Sequence, residues 1–373
     1  MNISDDELRG LFPITKELVY FDHASTGPMP SSTRTAVETC LDTYSRQAQF
    51  DFNVYFSKLA RARLLVAKLI GADPEEITFT QNTSEGVYIA LINIPMQEGD
   101  KVIVMDEVFP TVRYVADHNI PHAQKIYLKF CRKDPVAVLR NNLDKKVKAV
   151  VIDHVQFFTG EVIDLPRLSN FLMENEVKLV IDGIQAIGAL NMSVKDINID
   201  FLAVGASKWL FGPNGVGFLY VNKKNFKSLN RLHTGWLGAS WKNFEDFELN
   251  PPLFDDARMF EQGTRNVIGI ISLMENCRLL QSYGMDNVEK RILGIKTRLI
   301  EGFKELSYDI LTPLTGRQSG IVTARPKKDA TSVYNLLQSN KIVVSLRNRA
   351  LRFSPHFYNN EEEANKILEV LRL

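Results

Sequence analysis

Two short apolar runs near the middle of the chain limit its fold more than any other feature. Lys178 to Ile181 ends in Asp182, and Phe201 to Val204 leads through three small residues to Lys208, with a helix-like stretch between the two runs. Continuous apolar runs of this length are typical of strands that are buried on both faces in an α/β protein. Ligands bind at the edge of such sheets where the strands end. We therefore expect the carboxylate of Asp182 and the amine of Lys208 to lie close together there.

An acid and a lysine at one sheet edge match the chemistry of pyridoxal phosphate. This cofactor has a basic ring nitrogen and an aldehyde, and its enzymes combine an acidic partner for the nitrogen with a lysine Schiff base. A nucleotide site is the usual alternative, but no G-x-G-x-x-G or P-loop motif follows a strand here. The sequence predicts pyridoxal phosphate as the cofactor. A cofactor-free α/β binding protein is the non-enzymatic alternative.

Composition limits the classes of partner. The 373 residues are 45% hydrophobic, enough for a sizeable core, and this length favours about two domains. A formal net charge of +1 gives no reason to expect nucleic acid or an anionic membrane as the main partner. The three cysteines form no C-x-x-C pair, so we expect neither a disulfide framework nor a metal site. An acidic, polar N-terminus and the lack of a long apolar run favour the cytoplasm.

Two loops in the first quarter of the chain carry residues suited to ligand contact. A strand ending at Asp22 enters the small-residue loop His23 to Pro28, where a ligand could approach the backbone, although a plain turn has the same composition. A second strand, Ile77 to Thr80, is followed by a polar turn and a helical pattern. Such a helix start aims N–H groups and the hydroxyls of Thr83 and Ser84 at one point, as a phosphate requires, although the same residues are ordinary helix caps.

Two rings at other strand exits have more than one interpretation. Phe109 follows the strand Lys101 to Met105 and either packs in the core or lies on a flat heteroaromatic ring. His154 follows the strand Ala149 to Ile152, and a lone histidine at a strand end is more often structural than functional.

Strands alternate with helical patterns from about Thr78 to Val221, which indicates a doubly wound, mostly parallel α/β domain. Helical patterns over Val267 to Tyr283 and Val288 to Leu306, followed by short strands and a terminal helix, indicate a smaller α+β domain. We expect residues 16–258 to form the large domain, and residues 1–15 and 259–373 to form the small one.

Eight segments, taken in order, resemble the class V aminotransferase family of fold type I pyridoxal-phosphate enzymes, which includes cysteine desulfurases and isopenicillin N epimerase-like proteins. The segments are YFDHASTGP, TQNTSEG, GDKVIVMDEVFPT, HVQFFTG, VIDGIQAIGA, ASKWLFGPNGVGFLY, RMFEQGTRN and LRFSPHFYNNEEE. The resemblance runs from Tyr20 to the C-terminus. Any one segment is weak evidence, but eight in the family's order and spacing are specific.

The resemblance implies a role for each residue in these segments that contacts the cofactor. Lys208 matches the Schiff-base lysine, which also moves the α-proton, and Asp182 matches the partner of the ring nitrogen. Gln185 matches the group that hydrogen-bonds the phenolic oxygen, and Phe109 falls where relatives place a stacking ring. The phosphate contacts match Thr83, Ser84 and Ser207. A last pair, Gly263 and Thr264, matches a segment that relatives donate from a partner subunit, so a homodimer with shared active sites is expected.

The resemblance also implies substrate contacts. Arg352 matches the arginine that grips a substrate α-carboxylate, a task that suits the two-pronged guanidinium group. The nearby Arg347 and Arg349 are competitors for further anionic groups. In the first loop, His23 and Ala24 are the expected contacts of a small amino-acid substrate.

Departures from the family pattern bear on the reaction. Cysteine desulfurases carry a nucleophilic cysteine shortly before the carboxylate arginine, and residues 318–351 contain none. Phe157 stands where many relatives have a polar residue, and HVQFFTG together with His23 is closer to the epimerase-like branch. We expect transamination first, C–S or C–Se lysis second and epimerisation third, because one stabilised carbanion serves all three.

Overall fold

The computed structural model describes residues 4–48, 52–129, 134–241 and 251–373. Cys131 and the first three residues of the polar N-terminus lie outside these ranges. The helices are α1 (Asp5–Gly10), α2 (Ser31–Gln47), α3 (Phe52–Ile70), α4 (Thr83–Asn93), α5 (Pro110–Asn119), α6 (Pro135–Arg140), α7 (Leu165–Glu174), α8 (Val267–Tyr283), α9 (Met285–Glu305), α10 (Ala330–Ser339) and α11 (Glu361–Arg372). The strands are β1 (Val19–Tyr20), β2 (Ile77–Thr80), β3 (Lys101–Met105), β4 (Gln124–Leu128), β5 (Val147–Asp153), β6 (Lys178–Asp182), β7 (Phe201–Gly205), β8 (Gly217–Val221), β9 (Asp309–Ile310), β10 (Val322–Arg325), β11 (Ile342–Val343), β12 (Ser345–Arg347) and β13 (Ala350–Phe353).

A seven-stranded sheet in the order β2-β8-β7-β6-β5-β3-β4 forms the centre of the molecule. Strand β8 is antiparallel to both of its neighbours, and the other pairings are parallel. Strands β2, β3, β5, β6 and β7 therefore all end at the same edge. This arrangement confirms the predicted fold class, a mostly parallel α/β sheet.

The central strands are buried on both faces, as their continuous apolar runs predict. Every residue of β7 and β8 is buried, as are four of the five residues of β6. The register pairs Asp182 with Asp153 on β5 and with Ala203 on β7. A carboxylate is thus brought to the end of the central strands by the pairing itself.

The stretch between β6 and β7 was predicted to be helix-like, and that prediction is wrong. Residues 183–200 form a series of turns rather than a helix. Gly188 has a φ of 97°, a left-handed value that favours glycine, and a Cβ at this position would lie 2.3 Å from the carbonyl oxygen of Trp209. The tight approach of residue 209 explains why the backbone turns here instead of continuing as a helix.

A second sheet, in the order β12-β13-β10-β9, is antiparallel throughout, and α9, α10 and α11 pack around it. Its core also takes in Val19 and Phe21, and β1 pairs with β11. Leu8 and Phe12 pack instead in the core of the large sheet. The N-terminal segments therefore contribute to both cores.

Helix ends follow local sequence signals. The side chain of Asn82 caps α4 by accepting a hydrogen bond from the Glu85 N–H, and Asn266 caps α8 in the same way. Gly284, with a φ of 93°, ends α8. Within the described ranges, no helix is long and apolar enough to cross a membrane.

Candidate active site

A cavity of about 360 Å³ lies at the edge where the central strands end. Its walls come from the segments that follow β2, β3, β6 and β7, together with the turn before β8. The structure brings six of the predicted site residues to this one cavity: Thr83, Ser84, Phe109, Asp182, Ser207 and Lys208.

Asp182 contributes a buried carboxylate to the cavity. It is 2% exposed, and its Oδ1 accepts a hydrogen bond from the N–H of Ile184 at 3.0 Å. Burial, helped by the charge of the nearby Asp153 and opposed by the Ile184 N–H and Lys208, raises the pKa of Asp182 to about 6. A buried carboxylate is stabilised by a cationic partner. The protonated ring nitrogen of pyridoxal phosphate would be such a partner.

Lys208 carries an amine with reduced basicity. Burial lowers the pKa of Lys208 to about 8; Asp182 acts against this shift, whereas Arg352 and Arg347 add to it. Its Nζ lies 5.6 Å from the centre of the Phe109 ring. Near neutral pH the neutral, nucleophilic form is therefore far better populated than for an ordinary lysine.

Phe109 forms an aromatic wall beside Lys208. The ring is 41% exposed, which is unusual for a core phenylalanine, and it meets Phe157 edge to face at 5.4 Å. Its position at the start of α5 directs it toward the cavity rather than into the core. A flat heteroaromatic ring carried by Lys208 could contact this face.

The start of α4 offers hydrogen-bond donors to the cavity. Thr83 Oγ1 accepts from the N–H of Gly205 at 2.9 Å, and the hydroxyls of Ser84 and Thr111 are 2.7 Å apart. A Cβ at Gly205 would come within 3.0 Å of Thr83 Oγ1, so the close approach suits glycine. The first-turn N–H groups of an 11-residue helix and these hydroxyls fit a phosphate group.

Gln185 is not among the residues that line the cavity, and its side-chain amide is bound on both sides. Its Nε2 donates to the carbonyl oxygen of Ala24 at 3.0 Å, and its Oε1 accepts from the indole N–H of Trp209 at 2.8 Å. The side chain is 3% exposed. With the acid, the amine and the helix start, it completes a set of groups that fits pyridoxal phosphate.

Arg352 is buried and already bound by the protein. Its Nη1 donates to the carbonyl oxygen of Phe157 at 2.7 Å, and its Nη2 donates to Ser25 Oγ at 2.7 Å. It also forms an ion pair with Asp22 at 3.3 Å, and burial lowers the pKa of Arg352 to about 10. Within the described residues its buried Nε has no hydrogen-bond partner. Sequence reasoning missed Ser25 and Asp22 as partners, although Ser25 lies in the first predicted loop and Asp22 directly precedes that loop.

The predicted substrate contacts His23 and Ala24 do not line the cavity. His23 is fully buried, with Nδ1 2.9 Å from the carbonyl oxygen of Ser354 and Nε2 2.9 Å from the hydroxyl of Tyr358. Burial lowers the pKa of His23 to about 3, so the ring is neutral. Both side chains are structural in this arrangement. His154 lines a separate cavity of about 690 Å³.

Gly263 and Thr264 also lie outside the cavity lining. They connect the segment ending at Phe260 to α8, where Thr264 is exposed and Gly263 lies beside Trp236. A contribution to the cavity of the same chain is therefore not seen.

Comparisons with known proteins identify the family of the chain. The sequence model of the family Aminotransferase class-V matches residues 19–366. A probable cysteine desulfurase of Pyrococcus abyssi is 28% identical, with the match covering all of this chain and 97% of the relative. An uncharacterized aminotransferase of Bacillus subtilis, YcbU, is 23% identical over 98% of this chain and 96% of its own.

A solved structure shares the fold at lower identity. A variant of C-DES with glycine covalently linked to its pyridoxal-phosphate cofactor superimposes with a TM-score of 0.90 at 21% identity, covering 97% of this chain and 98% of the other. C-DES is described elsewhere as a cystine C–S lyase and was solved with its reaction product cysteine persulfide. The match over nearly the whole length, together with a cavity suited to the cofactor, shows that this chain is a pyridoxal-phosphate-dependent enzyme of the class V aminotransferase family.

Proposed function

We propose that this enzyme transfers the amino group of a small amino acid to its cofactor and releases a keto acid. Bound pyridoxal phosphate supplies the electron sink that stabilises charge at the substrate α-carbon. One observation supports transamination above epimerisation: among the described residues that line the cavity, only Asp182 and Lys208 carry titratable side chains. Asp182 is assigned to the ring nitrogen, so Lys208 is the single base.

A single base suits a proton shift from one carbon to its neighbour, which is what transamination requires. Epimerisation is usually served by a donor on each face of the carbon, and Phe109, the aromatic wall beside Lys208, cannot donate a proton. For this reason we rank epimerisation last.

C–S lysis is the second candidate. Two observations favour it: the relatives described above include a probable cysteine desulfurase and a cystine C–S lyase. A persulfide is a good leaving group because its acidity allows it to depart as the anion, without a protein acid. Residues 318–351 contain no cysteine, so a desulfurase step with a protein persulfide on that loop is not proposed.

The two candidates differ in the group that the substrate loses: transamination leaves the amino group on the cofactor, whereas C–S lysis expels a sulfur group from the β-carbon and regenerates the cofactor. Purified holoenzyme is incubated with a panel of amino acids including alanine, aspartate and cystine, and keto acid, sulfide and loss of optical purity are followed together. Transamination predicts keto acid with conversion of the cofactor to its amine form when no acceptor is present. Pyruvate and sulfur release from cystine, with the cofactor unchanged, would replace this proposal by C–S lysis.

The active site is proposed to be shared between two copies of the chain. Thr264 is exposed and outside the cavity of its own subunit, as a residue donated to a partner would be. In a mixed dimer of one Lys208→Ala chain and one Thr264→Glu chain, both changes would fall in the same site and leave the other site intact, so mixing the two inactive variants should restore part of the activity. Activity from an isolated monomer would contradict the shared site.

Arg352 is proposed to bind the substrate carboxylate. Arg352→Lys keeps the charge but loses the two-pronged geometry, so we expect KM for the amino acid to rise about tenfold or more, as for a lost charge-assisted hydrogen bond. Cofactor content should be unchanged, as measured by absorbance of the purified protein. Arg349→Lys, at an exposed position in the neighbouring turn, is the control. An unchanged KM for Arg352→Lys would remove this assignment.

Arg347 lies on the same side of the small sheet as this carboxylate-binding group. Ser345 pairs directly with Arg352, and Arg347 is two residues from Ser345, so the three side chains share one face. Ser345 Oγ donates to Asp22 at 2.8 Å, which places this face toward the first loop. The side chain of Arg347 is exposed, and its charge contributes to lowering the pKa of both Lys208 and Arg352.

We therefore expect amino acids with a side-chain carboxylate or sulfinate to be better substrates than alanine. Arg347→Gln should lower kcat/KM for aspartate about tenfold relative to alanine, the size of a lost charge-assisted contact. Arg349→Gln should leave that ratio unchanged. Equal losses for both substrates in Arg347→Gln would show that the arginine has no role in side-chain selection.

A further inference from the structure

Trp209 follows Lys208 directly in the chain, and its indole N–H forms a hydrogen bond with Gln185. The side chain is fully buried. Its indole N–H donates to Gln185 Oε1 at 2.8 Å, while Gln185 Nε2 donates to the carbonyl oxygen of Ala24 at 3.0 Å.

These two partners determine which way the Gln185 amide faces. An indole nitrogen can only donate, and a backbone carbonyl can only accept. A flipped amide would place N–H against N–H and oxygen against oxygen, and buried unsatisfied groups of this kind are strongly unfavourable. After both contacts are made, one N–H of the Gln185 amide remains for a further acceptor.

The position of Trp209 is itself closely determined by its surroundings. A Cβ at Gly320 would come within 2.6 Å of the indole ring, and a Cβ at Gly188 within 2.3 Å of the Trp209 carbonyl oxygen. The same carbonyl lies 3.1 Å from Nε2 of His356, a buried ring whose pKa burial holds well below its usual value. Gly320 crowds the indole ring directly, whereas Gly188 and His356 hold the backbone carbonyl of Trp209, so the residue has little freedom to move.

We propose that Trp209 is a positioning residue that orients the Gln185 amide so that its N–H, and not its oxygen, faces the phenolic oxygen of bound pyridoxal phosphate. A donor at that oxygen stabilises negative charge there. The oxygen then holds the proton of the neighbouring Schiff-base nitrogen less firmly. The inference rests on the cofactor assignment and does not depend on which reaction the enzyme catalyses.

Trp209→Phe tests the proposal because it removes the N–H and keeps an aromatic ring. The readout is the pH titration of the visible absorption band of the holoenzyme, without substrate. We expect the Schiff-base pKa to rise by about half a unit or more, the size of one neutral hydrogen bond. In a Gln185→Leu background, Trp209→Phe should cause no further shift. The same shift in both backgrounds, or none in Trp209→Phe alone, would overturn the proposal.

A second measurement covers the case in which Trp209→Phe does not fold. The chain has three tryptophans, so protein labelled with 5-fluorotryptophan gives three fluorine signals. Trp236→Phe and Trp241→Phe identify the remaining signal as that of Trp209. We expect this signal to move when pyridoxal phosphate is removed and again in Gln185→Leu. A signal that is unmoved by both changes would show that the indole and the cofactor are not connected through Gln185.

Discussion

Lys208→Ala is expected to lower kcat by more than about a thousandfold while the protein stays folded. The substitution removes both the covalent anchor of the cofactor and the only cavity-lining base in the described structure, and such a base contributes roughly 10²–10⁴-fold. Borohydride reduction followed by mass spectrometry should find cofactor attached to residue 208 in the unaltered enzyme and none in the variant.

Lys296 provides a matched control for this experiment. It is also buried, and burial lowers the pKa of Lys296 to about 8 as well, but its Nζ donates to Gln318 Oε1 and the carbonyl oxygen of Ser319 outside the cavity. Lys296→Met should lower thermal stability and leave kcat and cofactor attachment within a few-fold. If Lys208→Ala kept its activity, or the cofactor were attached to another lysine, the assignment of the site would fail.

The lowered pKa of Lys208 also predicts how cofactor uptake depends on pH. Only the neutral amine attacks an aldehyde, and its fraction rises as the pH rises through about 8 rather than through 10.5. The rate at which apoenzyme binds pyridoxal phosphate, followed by absorbance, should therefore level off shortly above pH 8. A rate still rising steeply near pH 10 would contradict the effect of burial.

Asp182→Asn is expected to lower kcat by about 10²–10³-fold, because asparagine cannot carry the negative charge that keeps the ring nitrogen protonated. Cofactor affinity should fall as well, which equilibrium dialysis would show. The control is Asp200→Asn: Asp200 is similarly buried but lies before β7, at the other end of the sheet, where it forms an ion pair with Lys178. Its substitution should affect stability alone.

In the apoenzyme, where the cofactor is absent, Asp182→Asn is expected to make the stability of the fold less dependent on pH. Because the folded-state pKa of Asp182 is raised from 3.8 to about 6, the folded state favours the protonated acid. The free energy by which the protonated acid stabilises the folded state amounts to about 3 kcal/mol. This stabilisation is complete below pH 4 and is lost as the pH rises through 6. Urea unfolding of apoenzyme at pH 5 and pH 7.5 should show a smaller loss of stability in Asp182→Asn than in the unaltered protein. Equal losses in the two proteins would show that the aspartate is not buried as a neutral acid.

Most of the strands could be predicted because buried parallel strands are continuous apolar runs. Strand β3 and helix α8 have the predicted bounds, and β6 and β7 differ by one residue at one end. Helices α5, α6 and α7 were predicted only as helical patterns between the strands, without bounds, since each is short, has a proline at or next to its first residue and contains few residues on which a periodic pattern can be recognised. The stretch before β7 was misjudged because a glycine turn with apolar residues has the same composition as a short helix.

The site was predicted to the extent that it lies at strand ends. Parallel strands bring their last residues to one edge, so the meeting of Asp182 and Lys208 follows from the apolar runs before them. His23 was predicted to contact the substrate, but the structure places it outside the cavity, and the local sequence does not reveal the contacts that bury it. It sits in a small-residue loop, yet Ser354 and Tyr358, more than 300 positions later, bind both of its ring nitrogens.

The amino-acid sequence by itself determined the order of the strands along the chain and the prediction of the cofactor, and it singled out the acid and the amine that we propose bind it, because these depend on local hydrophobic pattern and on residue chemistry. Tertiary structure alone decided the orientation of Gln185 by Trp209 and the attachment of Arg352 to Asp22. Both are contacts between distant segments, and both are decided by donor and acceptor geometry in a buried space. Burial also set the pKa of Asp182 and of Lys208, since the energy of a charge depends on the solvent that the fold removes.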